Sequence, residues 1–353
     1  MKTKKQNAGF LHVGRKLMHW YSHHGRDLPF RKTRDPYQIW ICEIIFQQTR
    51  IQQGLQHYKR FISRFPDVAT LAQADADEVL LYWKGLGYYS RAINLHKAAQ
   101  QIITKHAGIF PSGHADILAL PGIGKYTAAA ISSICFGEMR PAVDGNLYRV
   151  LSRIFADDFD ISAGQAFTYF SALALPLIPE DEAGTFNQAM MDLGSEICTP
   201  RLPKCDICPL QDHCLAYEFG TVQNFPVKSK KTKSTDLQLS YYFVAQKGQF
   251  LVRRRGADFI WKNLYEFPQT IPSDFSPYII GEKTVQHKLT HKNLTIHFKE
   301  VELPENHSLM DFAAAHDYIV MTSVEAAEKS FPKPLQNYLD EIFPADNAAS
   351  PNA

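Results

Sequence analysis

The chain has 353 residues, 45% of them apolar and 21% charged, with a formal net charge of +2. That length and apolar content allow two domains with cores of their own and exclude disorder over most of the chain. The net charge says nothing by itself about nucleic acid, but residues 2–34 hold nine Lys or Arg against one acid, Asp27, which leaves a basic N-terminal face.

In chain order, the start MKTKKQNAGFLHVGRKLMHWY lacks an apolar stretch of signal-peptide length, and Lys2, Lys4 and Lys5 read as a solvated tail. The longest apolar run elsewhere, IWICEIIF, is interrupted by Glu43. A soluble intracellular protein without a membrane span is therefore expected. Up to about residue 225 the stretches PYQIWICEIIFQQTRIQQGLQHYKRFISRF, SRAINLHKAAQQIITKH and TAAAISSICF repeat apolar residues at three and four spacing, between Gly and Pro breaks. A helix across residues 39–46 would set Glu43 among apolar neighbours. Desolvation there raises a carboxyl pKa and leaves a proton to donate near neutrality.

ILALPGIGKYTAAAI reads as helix, tight turn, helix over about 115–134. Pro121 ends the first helix, Gly122 and Gly124 permit close backbone approach, and the second helix starts near Lys125 with N–H groups free to bind an anion. In PAVDGNLYRV, Asp144 opens an apolar helix beside Gly145 and Asn146, the setting of a helix N-cap. One buried acid and one ionised carboxylate are also the pair that glycosidic bond cleavage uses. Four of the six cysteines, Cys198, Cys205, Cys208 and Cys214, then fall within seventeen positions, separated by six, two and five residues. Such clustering favours an inorganic centre over disulfides, and four thiolates suit zinc or an iron–sulfur cube equally. Arg201 and Lys204 in that loop stand ready for a phosphate backbone.

NFPVKSKKTKSTD reads as an exposed linker. Beyond it the period changes to two: LQLSYYFVAQ and QFLVRRR flank a likely hairpin turn at KGQ, LTIHFKEVEL and YIVMTS are further strands, and a helix closes the domain around PLQNYLDEIF. The chain thus divides into a helical domain (1–225), a linker (226–236), an α+β domain (237–345) and a tail (346–353).

LPFRKTRDPYQIWICEIIFQQTR, GLGYYSRA, LPGIGKYTA, VDGNLYRV, FNQAMMDLGSEIC and the four-cysteine loop stand in one order over about residues 10–345. In that order the chain resembles the adenine DNA glycosylases of the MutY type, within the endonuclease III superfamily of helix-hairpin-helix glycosylases. The resemblance implies an all-α helix-hairpin-helix glycosylase domain and a C-terminal α+β MutT-like (Nudix-fold) domain, marked by NLYEFP at 263–268. It implies a [4Fe–4S] cluster on Cys198, Cys205, Cys208 and Cys214, and a monomer acting in the bacterial cytoplasm at the nucleoid. Its substrate would be double-stranded DNA with adenine opposite 8-oxoguanine or guanine.

Residue by residue, the resemblance gives Glu43 protonation of adenine at N7 and Asp144 support of the sugar cation, with Asn146 nearby. Arg31, Tyr126 and Gln188 match pocket positions, and an amide such as Gln188 can pair with adenine's Hoogsteen edge. Gln48, Thr49, Leu86 and Tyr88 match residues that fill the base stack once adenine is extruded. Gly122, Gly124 and Lys125 match DNA contacts. The lesion-reading loop, usually Phe-Ser-His, is Leu289-Thr290-His291 here; Phe30 and Cys42 replace the usual Trp and Ser. In relatives that also cut the strand, the Schiff-base lysine stands where this chain has Tyr126. Lys125 is one place short, about 100° round a helix, so a monofunctional enzyme is expected. The competing readings are a bifunctional glycosylase/lyase and a non-enzymatic DNA-binding scaffold. No Glu-rich pyrophosphatase box follows NLYEFP, so nucleotide hydrolysis is not expected.

Overall fold

A computed structural model describes residues 2–229, 234–256 and 259–344, with side chains from residue 11 onward. The centre of the expected linker, 230–233, and the expected tail, 346–353, lie outside the described residues. Two compact units emerge: residues up to 73 together with 94–229, and residues 74–93 together with those from 234 on. The first unit is therefore not one continuous stretch of chain.

The helices are α1 (Lys2–His24), α2 (Pro36–Ile45), α3 (Ile51–Arg64), α4 (Val68–Gln73), α5 (Ala76–Trp83), α6 (Ser90–Lys105), α7 (His114–Leu118), α8 (Lys125–Phe136), α9 (Gly145–Ile154), α10 (Ala166–Ala174), α11 (Ala183–Asp192) and α12 (Leu215–Glu218). In the first unit, Leu17 of α1, Leu147 and Leu151 of α9, Phe170 of α10 and Phe186 and Met190 of α11 form one core. Asp35 caps α2 by accepting from the Tyr37 N–H at 3.0 Å, with Pro36 in the first turn, where a missing N–H costs nothing. Ile39, Trp40, Ile41, Ile44 and Ile45 then bury almost the whole of α2. The long helical stretch expected from residue 36 to 65 is two helices, because Gln48 adopts φ 57° and turns the chain between them. No Gly or Pro announces that break.

The helix-hairpin-helix is α7, a turn through Pro121–Gly124, and α8. Gly122 has φ 78°, and a Cβ there would lie 2.6 Å from the Asn94 Cβ. A glycine is thus required both by the left-handed backbone and by the close neighbour. α8 ends at Gly137, φ 72°, whose N–H reaches back to the Ser133 carbonyl, the left-handed stop common at helix ends.

The second unit holds a six-stranded mixed sheet: β1 (Thr235–Gln246), β2 (Gln249–Arg254), β3 (Tyr265–Glu266), β4 (Ile279–Lys288), β5 (Lys292–Glu302) and β6 (Ile319–Thr322). The order is β3-β2-β1-β5-β4, with β6 on β2. β1 and β5 run parallel from Thr235↔Lys292 to Ala245↔Glu302, and the other pairs are antiparallel. Val244, Leu251 and Val301 face α13 (Leu309–Ala315), while Tyr241, Phe243, Phe250, Phe267 and Phe298 face the closing helix α14 (Lys333–Ile342) through Leu335 and Tyr338. The α+β expectation holds, with the hairpin turned by Lys247-Gly248. β4 escapes a sequence reading because it is an edge strand with few buried residues and a register shift at Gly281; charged, irregular edges of this kind resist further pairing. No helix among the described residues is long and apolar enough to cross a membrane.

Gly122→Ala is expected to destabilise the protein by about 1–2 kcal/mol or more, from left-handed strain plus the clash with Asn94. Gly124, with φ −95° and open space around its Cβ direction, should tolerate Ala better. Urea denaturation of the two variants measures the difference.

Candidate active site

Glu43, in the third turn of α2, is a half-buried carboxyl beside buried Cys42, Ile44 and Ile45. Its Oε2 accepts a 2.7 Å hydrogen bond from the Tyr126 hydroxyl, which α8 delivers in its first turn. Burial pushes the Glu43 pKa up to about 7; the Tyr126 bond lowers it, the Asp144 charge raises it, and Arg31 lowers it. Burial and the Glu43 charge hold Tyr126 well above the usual phenol range, so its hydroxyl remains a donor. This carboxyl therefore still has a proton to give near neutrality, where an ordinary glutamate has lost it.

Asp144 is indeed the N-cap of α9. Its Oδ1 accepts from the Asn146 and Leu147 N–H groups, both at 2.8 Å, and its Oδ2 from the Asn146 side-chain amide at 2.7 Å. Its pKa lies above the ordinary aspartate value, because burial raises it by more than these bonds and Arg149 lower it. All three donors bind the anion, and the helix N-terminus adds its dipole. Capping and chemistry are compatible uses of one side chain.

From Asp144 a hydrogen-bonded path runs down α9. Buried Arg149 donates from Nη2 to Asn146 Oδ1 at 2.9 Å and to the Gly194 carbonyl at 2.7 Å, and from Nε to the Cys198 carbonyl at 2.7 Å. One turn later Arg153, 1% exposed, reaches the Cys198 Sγ at 3.3 Å and the Thr199 and Pro200 carbonyls. Close packing seals the junction: a Cβ on Gly194 would meet the Asn146 Cβ at 2.5 Å. A third group lies on α11. Buried Asp192 binds both Nη atoms of Arg31 (2.5 and 2.6 Å) and Arg26 through Nε at 2.8 Å. Arg31 Nη1 also donates to the Tyr21 hydroxyl, which donates to Gln188 Oε1, each at 3.1 Å. Arg31 and Gln188 line a cavity of about 140 Å³ with Thr33, Arg34, Ser133 and Thr185; Glu43, Tyr126 and Asp144 are not part of its lining.

Residues 41–173 match the HhH-GPD superfamily of base excision DNA repair proteins, 198–214 the iron–sulfur binding domain of endonuclease III, and 240–341 the NUDIX domain. The adenine DNA glycosylase of Buchnera aphidicola subsp. Acyrthosiphon pisum (strain APS) is 32% identical over 339 residues, 92% of this chain and 96% of that protein. The chain belongs to the adenine DNA glycosylase family. The counterpart from Buchnera aphidicola subsp. Schizaphis graminum (strain Sg) is 36% identical over 71% of this chain and 73% of its own. A solved thermostable thymine-DNA glycosylase superposes with TM-score 0.56 and 31% identity, over 62% of this chain and all of that one.

The glycosylase carries a [4Fe–4S] cluster, and its cysteines fit one. All four line a single cavity with Arg153, Lys204 and Tyr217. Four thiols gathered on one cavity are the donor set that a [4Fe–4S] cube takes. Bound there, the cluster supplies charge and a rigid cross-link to the loop; Arg153 sets a cation beside the Cys198 sulfur.

Of the expected DNA contacts, Gly122, Gly124 and Lys125 are exposed at the hairpin, and Lys125 Nζ lies 5.8 Å from the centre of the Phe167 ring. Gln48 is exposed and Thr49 half-buried in the turn after α2. Leu86, Tyr88, Thr290 and His291 all belong to the second unit, where the Tyr88 and Thr290 hydroxyls are hydrogen-bonded at 2.7 Å. Tyr88 is 51% exposed but Leu86 only 8%, tucked into the fold. Phe30 packs between Phe46 and Tyr58, and Cys42 is buried, so both departures are absorbed in the core. Sequence reasoning passed over Tyr21, Arg149, Arg153 and Asp192. The signal available was the Arg pair four apart in NLYRVLSRI, two charges on the buried face of one helix.

Because folding raises the Glu43 pKa from 4.5 to about 7, its contribution to stability is fully present below pH 4.5 and lost as pH rises through 7. Glu43→Gln should therefore gain stability relative to wild type between pH 5 and 8, by at most about 3 kcal/mol; urea midpoints at the two pH values measure this. Arg149→Gln, which strips donors from Asn146 and Cys198, should lower both iron content and base release, the latter about tenfold or more. Arg149→Lys should rescue little, since an ammonium lacks the planar fork.

Proposed function

We propose that the enzyme removes adenine paired with 8-oxoguanine or guanine by hydrolysing its N-glycosidic bond, without cutting the strand. The Glu43 carboxyl, poised near pH 7 against Tyr126 and Asp144, is the observation that carries this reading. Glu43 gives its proton to adenine N7, the C1′–N9 electrons leave with the base, and Asp144 faces the resulting oxocarbenium-like sugar as an anion. Asn146 orients Asp144. Water completes the hydrolysis.

Monofunctionality is supported by Tyr126 beside Glu43 while Lys125 is exposed near Phe167. Gln48, Thr49, Leu86 and Tyr88 fill the stack on base extrusion. Exposure favours Gln48 in the first unit and, in the second, Tyr88 over the buried Leu86 as the groups that insert. Thr290 and His291 read the lesion, and the Tyr88–Thr290 bond supports a joint role. Arg31 and Gln188 hold the extruded base, and Gly122, Gly124 and Lys125 contact the backbone phosphates. We take the enzyme to act as a monomer at the bacterial nucleoid.

Single-turnover assays on duplexes with each base opposite 8-oxoguanine or guanine test this. Adenine release should fall about tenfold per pH unit above 7 as Glu43 loses its proton. Glu43→Gln should abolish release and keep mismatch binding. Abasic product should stay uncut until alkali is added, with little borohydride trapping. Efficient trapping that disappears in Lys125→Ala would move the protein to the lyase class.

A further inference from the structure

We infer that Arg91 is a positioning residue for base extrusion: its guanidinium clamps the loop of residues 85–88 and holds the Tyr88 ring ready to enter the base stack, and it is not a phosphate contact. This rests on the reading above that Tyr88 fills the stack, and it assigns the group that keeps that ring in place.

The loop between α5 and α6 needs such a clamp. Three of its residues have left-handed backbone: Gly85 at φ 96°, Gly87 at φ 68° and Tyr88 at φ 46°. Glycine enters that region freely, but a bulky tyrosine does so against its own Cβ. Such a conformation persists only where the surroundings hold it. Side chains of the second unit supply that hold. Arg91 Nη2 donates to the Leu86 and Gly87 carbonyls, each at 3.2 Å, and the Trp83 Nε1–H donates to the same Gly87 carbonyl at 3.1 Å. The Arg91 backbone N–H reaches the Tyr88 carbonyl at 2.9 Å. Buried Trp83 forms the floor, its ring centre 5.1 Å from the guanidinium carbon, and the Tyr88 ring centre lies 5.7 Å from that carbon. A cation between two aromatic rings is attracted to both. With its hydroxyl on Thr290, the exposed Tyr88 ring is held at both ends.

Phosphates are the commonest partners of arginine in a DNA-binding loop, but the geometry here points inward. Arg91 is half-buried, and burial lowers its pKa to about 10, which leaves it a cation at neutral pH. Its Nη2 serves two carbonyls of its own loop, and its plane lies against two rings. A lysine could give a phosphate the same charge, yet it has neither the fork for two adjacent carbonyls nor a flat face for the rings. Extrusion is driven by the groups that replace the base in the stack, and a ring already fixed loses little freedom on inserting.

The test uses the full chain with Arg91→Lys, Arg91→Met and Trp83→Phe, the last removing the indole N–H while keeping an aromatic floor. On duplexes with adenine opposite 8-oxoguanine, it measures single-turnover release at saturating enzyme, the fluorescence rise on binding of a 2-aminopurine placed beside the target adenine, and the salt slope of binding. Arg91→Lys should release adenine about tenfold more slowly, the loss of charge-assisted bonds. It should also lose most of the fluorescence rise and keep the wild-type salt slope. Trp83→Phe should show the same two losses at about threefold, one neutral bond being gone; should Arg91→Lys fail to fold, Trp83→Phe carries the test. A slope lower by about one counterion in Arg91→Met, restored together with the rate in Arg91→Lys, would make Arg91 a phosphate contact and overturn the inference. Slow release with a full fluorescence rise overturns it too, as does wild-type behaviour of Arg91→Lys. A merely structural Arg91 would lower the fraction of active enzyme but leave the rate and the fluorescence of each bound complex unchanged, which also overturns it. A wild type that brightens 2-aminopurine yet releases no adenine would instead sink the functional reading, so the two failures are distinct.

Discussion

The carboxylate of Asp144, bound by the first N–H groups of α9, is the contact on which the site is built. A helix N-terminus stabilises an anion that burial would otherwise neutralise, by about 0.5–2 kcal/mol for a cap of this kind. The same helix is held from below: Arg149 and Arg153 project from successive turns into the carbonyls and the sulfur around Cys198. Each buried guanidinium is satisfied by several acceptors, which is what makes burying it tolerable. The cluster loop is therefore joined to the Asp144 carboxylate through α9. It fixes α9, α9 fixes Asn146, and Asn146 fixes the carboxylate.

Glu43 occupies a contrasting environment only a short way off. Its hydrogen bond comes from one phenol, and the strongest influence on it is loss of water, reinforced by the charge of Asp144. Burial raises the pKa of both carboxyl groups, but several aimed donors oppose the rise at Asp144 while a single phenol donor opposes it at Glu43. Removing the cap on α9 would disturb both, because the proton on Glu43 is partly a response to the charge on Asp144.

Much of this was legible in the sequence. Glu43 in an apolar run, Asp144 before a helix and the four-cysteine spacing each point to a physical setting that the fold supplies, and the period change after residue 236 marks the sheet. What stayed hidden depends on tertiary approach. Nothing local in Tyr21 or Asp192 shows that α1 and α11 bring them to Arg31. The break at Gln48 has no glycine or proline to signal it, and edge strand β4 shows little apolar alternation. The grouping of residues 74–93 with the sheet was likewise beyond periodicity, since α5 looks like any other helix of the amino-terminal half.

That grouping bears on what a shortened chain would be. Asp77 of α5 accepts from the Tyr265 hydroxyl at 2.8 Å and from Lys329 at 2.9 Å, and pairs with Arg254 at 3.1 Å. Every one of those partners lies beyond residue 250, as does the Thr290 that holds Tyr88. A gene cut after the four cysteines would keep the codons for Leu86 and Tyr88 yet lose the surface that shapes the loop bearing them. The amino-terminal half is thus not self-contained: part of its own sequence, residues 74–93, takes its shape from the carboxy-terminal sheet.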